Sequence, residues 1–436
     1  ILMYKVSMVS LGCPKNQVDA EAMLYSLSTE GFIIGVEEAE ADVIIINTCG
    51  FIQSAKEEAI ETIFQMAQYK KNGTKLMVTG CLTQRYKEML IEEMPEVDLF
   101  VSIDEYDHIG ELISNLMGIE NHSVKGVDFH KRVLSTAPYF SYVRIGDGCD
   151  NKCSYCAIPL IRGPYVSRMI EDIVLEVKEH LLRGRKEIVL IAQDTTRFGK
   201  DYSGKCLLPE LLEKLAKMNK FDFIRFLYLY PDEIEDELID VVNKYESITP
   251  YFDVPIQHAS SKVLKDMNRR GNKEFLVDLF KKIKTKIPNA ILRTTLIVGF
   301  PNETEEDFIE LKEFIQEIKF DRLGVFKYSP EEDTLSATFD GQIEEEIKER
   351  RYQEIMKLQE KISYELSKEK IGQVHKVIVE GYDSNLKYLT GRSYAFAPDD
   401  VDGLIYIKTN KEHQDGDIIN PFGMTGTMKL KKFMVS

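Results

Sequence analysis

Two rhythms of apolar and polar positions run along this chain of 436 residues. From the start to about residue 120, short β-rich runs alternate with stretches of helical spacing. Tyr4 to Ser10 (YKVSMVS), Val43 to Ile46 (VIII), Lys75 to Thr79 (KLMVT) and Leu99 to Ile103 read as strands. Asn16 to about Thr29, Gln53 to Tyr69, a stretch from about Thr83, and His108 to Met117 read as helices. The unbroken β-branched run at Val43 predicts a strand buried on both faces. Strict alternation of strand and helix predicts an α/β fold with a doubly wound parallel sheet, placed at residues 1–122.

A polar stretch from Asn121 to Pro138 reads as a linker, and a second strand–helix series follows over residues 135–343. Its strands are expected at Phe140–Ile145, Glu187–Ala192, Phe223–Leu229, Tyr251–Pro255, Ile291–Val298 and Arg322–Lys327. Six such units predict a partial (β/α)6 barrel, with functional groups at the strand C-termini. Glu344 to Glu369 is a charged helix, the core of a connecting segment at 344–370; Ile355, Leu358, Ile362 and Leu366 give it one apolar stripe for packing. In 371–436 the rhythm changes to short β runs (HKVIVEGY, LKYLTGRS, LIYIK) between Gly, Asp and Asn turns, which predicts a small antiparallel β-barrel.

Charge narrows the possible partners. The net charge is −16, a poor match for nucleic acid and a good one for a basic partner. The tail holds eight Lys and Arg against eight Asp and Glu, so charge does not favour an RNA role there. No apolar run is long enough to span a membrane, and no basic, apolar, small-residue series opens the chain, so a cytoplasmic location is expected. In that reducing compartment the seven cysteines are expected to act as ligands or catalysts rather than as disulfides.

Cys149, Cys153 and Cys156 form a C-x3-C-x2-C loop after the first barrel strand, entered through Gly146 and Gly148. Three thiolates in eight residues can wrap one metal centre and leave a coordination position open. A structural zinc knuckle is the alternative, but zinc favours paired C-x2-C units with a fourth ligand; a cubane iron–sulfur cluster suits this compact loop. Cys13, Cys49 and Cys81 are 36 and 32 residues apart, about one strand–helix–strand unit each. Each sits just past an expected strand, in SLGCPKN, INTCGFI and VTGCLTQ, so all three should meet at one sheet edge. Gly12, Gly50 and Gly80 adjoin them and permit close backbone approach. The alternative is three buried cysteines acting as small hydrophobes; convergence instead predicts a second iron–sulfur cluster with one open iron. Cys206, in SGKCLLP, has no ligand partner and is taken as incidental.

The first loop, with Tyr155 in its aromatic position, resembles the motif of radical S-adenosylmethionine enzymes. The resemblance implies that the open iron chelates S-adenosylmethionine, whose one-electron cleavage gives a 5′-deoxyadenosyl radical. It also implies cofactor contacts from later strand ends. Gln193 follows the second strand, Gln257 the fourth, Arg293 lies on the fifth, and Gly299 lies in TLIVGFPNET, similar to an adenine-binding stretch. Arg293 or a glutamine would hold the carboxylate or ribose hydroxyls, although each is equally read as a polar residue lining the barrel.

Over its whole length the chain resembles the methylthiotransferases, which join a three-cysteine domain, a radical S-adenosylmethionine barrel and a TRAM barrel. SLGCPKNQVDAE, DVPIQHAS and LRTTLIVGFPNETEEDF resemble the branch that modifies a ribosomal protein. That branch implies two 4Fe-4S clusters, S-adenosylmethionine, and methylthiolation of an aspartate β-carbon in small-subunit ribosomal protein twelve. A one-electron donor such as a flavodoxin is implied as well. A tRNA adenosine is the alternative substrate, and an iron–sulfur electron carrier the alternative class.

Overall fold

The structure, a computed structural model, describes residues 4–119, 127–370, 373–399, 402–409 and 411–420. The sequence-based expectations for 121–126 and for the tail beyond 420 lie outside these residues.

The first domain is a five-stranded, all-parallel sheet. In spatial order its strands are Ile33–Ile34, Lys5–Ser10, Val43–Thr48, Lys75–Gly80 and Leu99–Val101. Helices Pro14–Thr29, Gln53–Ala67, Cys81–Glu93 and Ile109–Leu116 cover it, and apolar residues bury on both faces, Val6, Val43 and Ile45 on one, Ile44, Ile46 and Val78 on the other. The strand order reverses between Lys5–Ser10 and Val43–Thr48, where open α/β sheets leave a crevice at their carboxyl ends. The strand Ile33–Ile34 escaped sequence reading because two residues carry no periodicity.

The second domain carries the six expected strands, now bounded at Phe140–Arg144, Glu187–Ile191, Phe223–Phe226, Tyr251–Asp253, Ile291–Val298 and Arg322–Lys327. They form two parallel three-stranded sheets. The sheets are joined where the Leu229 amide donates to the Asp253 carbonyl (2.9 Å) and the Thr249 amide to that of Ile224 (2.9 Å). Alternate residues divide between two environments, as the period of a strand requires. Val143, Ile188, Leu190, Ile224, Phe226 and Leu292 pack under the helices. Tyr142, Val189, Ile191, Leu227, Tyr251 and Ile291 face the lumen.

The lumen is filled by the tail. Strands Val377–Asp383, Tyr388–Arg392, Ile405–Ile407 and Ile418–Ile419 form a four-stranded antiparallel sheet, and its Ala395, Phe396 and Ala397 bury among the lumen residues. Buried charges lock this plug. Glu187 accepts from Arg225 (2.9 Å) and Arg392 (2.8 Å), and the Tyr251 hydroxyl donates to Asp402 (2.5 Å). The helix Glu345–Glu369 lays Ile355 and Ile362 on the barrel core, as its stripe predicts.

One expectation is corrected. The described part of the stretch read as a polar linker is fixed in place: Arg132 is 1% exposed. It pairs with Glu21 of the first domain and with Glu176 of the second (2.5 Å). Its polar composition marks a buried ion network, not a loose tether.

Candidate functional site

The N-terminal cysteines converge through the sheet register. Ser10 pairs with Asn47 and Thr48 with Gly80, so the three strands end level with one another. Cys13 caps the helix Pro14–Thr29, and Cys81 opens the helix Cys81–Glu93. Both therefore stand at helix N-termini, beside first-turn backbone amides that have no partner within the helix. The glycines permit the approach. Gly80 has φ +98°, and a Cβ there would lie 2.3 Å from the Thr48 carbonyl oxygen; at Gly12, φ +91°, it would lie 2.8 Å from the Cys49 Cβ. Asn16, fully buried, ties the edge together by donating to the Leu11 (3.2 Å) and Thr48 (3.0 Å) carbonyls.

The barrel trio is held locally but braced from afar. The Cys149 amide donates to Gly163 (3.1 Å) and that of Cys156 to Cys153 (3.1 Å). The Ser154 amide donates to Met267 (3.0 Å), and Asn268 Nδ2 donates to the Lys152 carbonyl (2.7 Å). Arg269 lies over the Tyr230 ring and reaches Cys153 Sγ (3.7 Å), the Tyr155 hydroxyl (3.3 Å) and the Pro255 carbonyl (2.7 Å).

The two domains meet at Cys81. Cys81 packs against Ala157 and Ile161, the segment just past Cys156. Arg162 crosses the gap: it donates to Cys81 Sγ (3.5 Å), Asn16 Oδ1 (2.7 Å), Asp19 (2.8 Å) and Asp147 (3.2 Å). On the other flank Glu331 pairs with Lys56 (3.2 Å) and accepts from the Gln53 amide (3.0 Å), while Glu332 accepts from the Tyr86 hydroxyl (2.5 Å).

The thiols fit a cationic cluster. Burial, with Cys81 and Cys13 nearby, pushes the Cys49 thiol up to about 12, against the pull of the Phe51 and Gly50 amides. Burial raises Cys81 as well, opposed by Arg162. Burial lifts Cys149 to about 11, and burial with Cys153 beside it lifts Cys156 to about 12. Thiols crowded in a dry pocket resist ionising alone and do so when a metal centre supplies the opposing charge. Among the described residues no three Cys, His, Asp or Glu side chains are gathered tightly enough for a single metal ion.

The remaining expected residues divide. Tyr155 lies in the loop under Arg269, partly buried beside Phe300 and Tyr328. Gln193 Nε2 donates to Asp147 (2.8 Å), and its Oε1 is buried without a partner among the described residues, an acceptor available to a hydroxyl or amine. Burial would raise the Asp147 carboxyl, but Arg144 and Arg162 hold it below its usual range. Gln257 lies past the strand Tyr251–Asp253, bridged to Leu296, with φ +69°. Arg293 is committed to Asp253 (2.9 Å), so it stands as a lumen ion pair. The Gly299 amide is taken by Glu303, and Lys348 fills the space where a Cβ would stand, so this stretch packs against the connecting helix. Cys206 packs on the barrel core, apart from both trios. Asn16, Arg162 and Arg269 were not singled out in the sequence; no spacing rule links Arg162 to a cysteine 81 residues away.

Residues 5–102 match the Uncharacterized protein family UPF0004, residues 143–315 the Radical SAM superfamily, and residues 371–421 the TRAM domain. Among solved structures, the fold is similar to the radical S-adenosylmethionine methyltransferase TsrM from Kitasatospora setae. The TM-score is 0.55 at 13% identity, over 74% of this chain and 72% of that one. It is also similar to the cobalamin-dependent radical enzyme OxsB, with a TM-score of 0.52 at 13% identity, over 82% and 56%. The chain is an enzyme of the radical S-adenosylmethionine class, whose members work with that cofactor and an iron–sulfur cluster.

Its sequence relatives are more specific. It is 49% identical to the ribosomal protein uS12 methylthiotransferase RimO of Alkaliphilus oremlandii (strain OhILAs), over 96% of this chain and 94% of that one. It is also 49% identical to that of Clostridium botulinum (strain Loch Maree / Type A3), over 95% and 94%. The chain belongs to the RimO family of methylthiotransferases.

Proposed function

We propose that this enzyme attaches a methylthio group to the β-carbon of an aspartate in ribosomal protein uS12. The observation that carries the reading is that Cys81 packs against the segment just past Cys156, with Arg162 of that segment donating to its Sγ. Cys149, Cys153 and Cys156 would hold the cluster that works with S-adenosylmethionine, and Cys13, Cys49 and Cys81 the cluster that presents sulfur. Bound there, the two clusters and S-adenosylmethionine supply the one-electron chemistry that an unactivated C–H bond demands. The chain's own residues do the rest. Arg269 and Arg162 place donors on one sulfur of each trio. The orphaned Gln193 acceptor would be available to the cofactor, and the plug from the tail fills the lumen. The acidic surface suits a basic ribosomal protein. A one-electron donor such as a flavodoxin completes the reaction.

The test is anaerobic reconstitution followed by incubation with uS12 and, separately, with tRNA, read by mass spectrometry. About eight irons per chain and a methylthio group on uS12 support the reading. About four irons, or a methylthio group on tRNA alone, overturn it.

A further inference from the structure

Among the described residues Lys15 is a cation without an ion-pair partner, in a mouth where the neighbouring charges are paired. It lies two residues past Cys13, in the first turn of Pro14–Thr29. Its ammonium stands 3.7 Å from the centroid of the Tyr228 ring, just past the third barrel strand. Among the described residues it makes no ion pair and no side-chain hydrogen bond. The carboxylates nearby are already committed. Asp19 is held by Arg144 (2.5 Å) and Arg162 (2.8 Å), and Asp147 by Arg144 (3.0 Å) and Arg162 (3.2 Å). Asp253 is held by Arg293 (2.9 Å). Tyr228, which pins the ammonium, is itself in the left-handed region (φ +66°), and its amide donates to Asp253 Oδ2 (3.0 Å). A bulky residue adopts that conformation only where its surroundings enforce it, and such strain gathers at working sites. Cation–π contact fixes the direction of the charge and leaves its other side to accept an anion.

We propose that Lys15 is the residue that selects an aspartyl substrate, its ammonium binding the side-chain carboxylate of the target so that the β-carbon is held next to Cys13. The inference rests on the substrate reading above and deepens it. A half-buried, unpaired cation is costly, and an arriving carboxylate relieves that cost where an amide cannot. The same carboxylate chemistry is offered by the methionine moiety of S-adenosylmethionine, and the experiment separates the two sources.

The reconstituted enzyme and its Lys15→Met and Lys15→Gln variants are titrated with purified uS12. They are titrated again with uS12 in which the aspartate that the wild type modifies is replaced by Asn. Affinity for S-adenosylmethionine is measured in parallel, and iron content reports folding. Two variants are used so that one poorly folded protein does not decide the outcome. The wild type is expected to bind the Asp form more tightly than the Asn form by on the order of a hundredfold, the scale of a desolvated charge pair. In the variants that ratio falls to about one. A ratio unchanged in both variants overturns the proposal. So does a loss of S-adenosylmethionine affinity with the Asp-over-Asn ratio kept, which would give Lys15 to the cofactor. A wild type that modifies no uS12 removes the substrate reading, and this inference with it; a wild type that does, with the ratio kept in the variants, removes this inference alone.

Discussion

The two cysteine trios show opposite ways of gathering three thiols. The barrel trio is local: its cysteines lie within eight residues, and one loop presents all of them. The N-terminal trio has no local existence. Its members end three separate strands, and only the parallel register, with Ser10 opposite Asn47 and Thr48 opposite Gly80, brings them level. Even then the site is completed from outside, because the arginine that reaches Cys81 belongs to the barrel. The equivalent donor to Cys153, Arg269, comes from the same domain as the loop it serves. One site is thus a motif held by a fold, and the other is a property of two folds docked together.

The sharpest way to break the comparison is to delete each trio. Replacing Cys13, Cys49 and Cys81 with Ala is expected to remove about half the iron and all methylthio product while S-adenosylmethionine cleavage persists. Replacing Cys149, Cys153 and Cys156 is expected to abolish cleavage, as read by chromatography of 5′-deoxyadenosine. Equal loss of cleavage in both proteins would show that the trios are not separable.

Next in size is Arg162→Met. It leaves the carboxylates of Asp19 and Asp147 to Arg144, so the cost stays below the about 3–5 kcal/mol of a buried pair broken outright. The melting temperature should fall, and the electron paramagnetic resonance signal of the N-terminal cluster should shift while that of the barrel cluster holds. Arg269→Met should reverse the pattern, shifting the barrel signal.

Gly80→Ala sharpens the point further. Its Cβ would strike the Thr48 carbonyl at 2.3 Å from a left-handed backbone, a strain of about 1–3 kcal/mol. Iron is expected to be lost from the N-terminal site alone, measured by comparing iron content with the cleavage rate.

The smallest effect is on acid stability. Burial holds His180 down to about 3, against the pull of Glu176. Burial alone would raise Glu176, but Arg132 and Arg168 keep it at about 2. In the unfolded chain a histidine takes up its proton near pH ~6.5. Between that value and about 3 the unfolded state therefore binds more protons, and stability falls as pH falls. Glu176 adds to the loss only below the usual glutamate range. Thermal denaturation should show a midpoint that declines from neutral to mildly acidic pH, and His180→Asn should flatten that decline.

Much of this was legible from the residues. Strand–helix alternation placed the parallel strands of both domains to within a few residues, apart from Ile33–Ile34, and the repeated strand–Cys–Gly placement located the convergent edge. Boundaries slipped where cysteines begin helices: Cys81 is the first residue of its helix, where the pattern suggested a start near Thr83. What stayed hidden were partnerships without a spacing rule. Arg392 and Glu187 are 205 residues apart, and Arg162 and Asn16 are 146 apart. Arg132 sat in a stretch whose polarity imitates a linker. Gly299 and Arg293 show the converse. Their motifs stand out in the sequence, while the packing of Lys348 on Gly299 and the pairing of Arg293 with Asp253 do not.

The tail seated in the barrel has a practical corollary for anyone dissecting this enzyme. Cutting the chain after the connecting helix would not yield a smaller catalyst lacking an accessory module. It would uncover Tyr142, Tyr251 and Ile291 and leave Glu187 and Arg225 without Arg392 and the Tyr394 carbonyl. Chimeras between relatives must accordingly move Arg392, Phe396 and Asp402 together with the lumen residues they meet, as one inherited block.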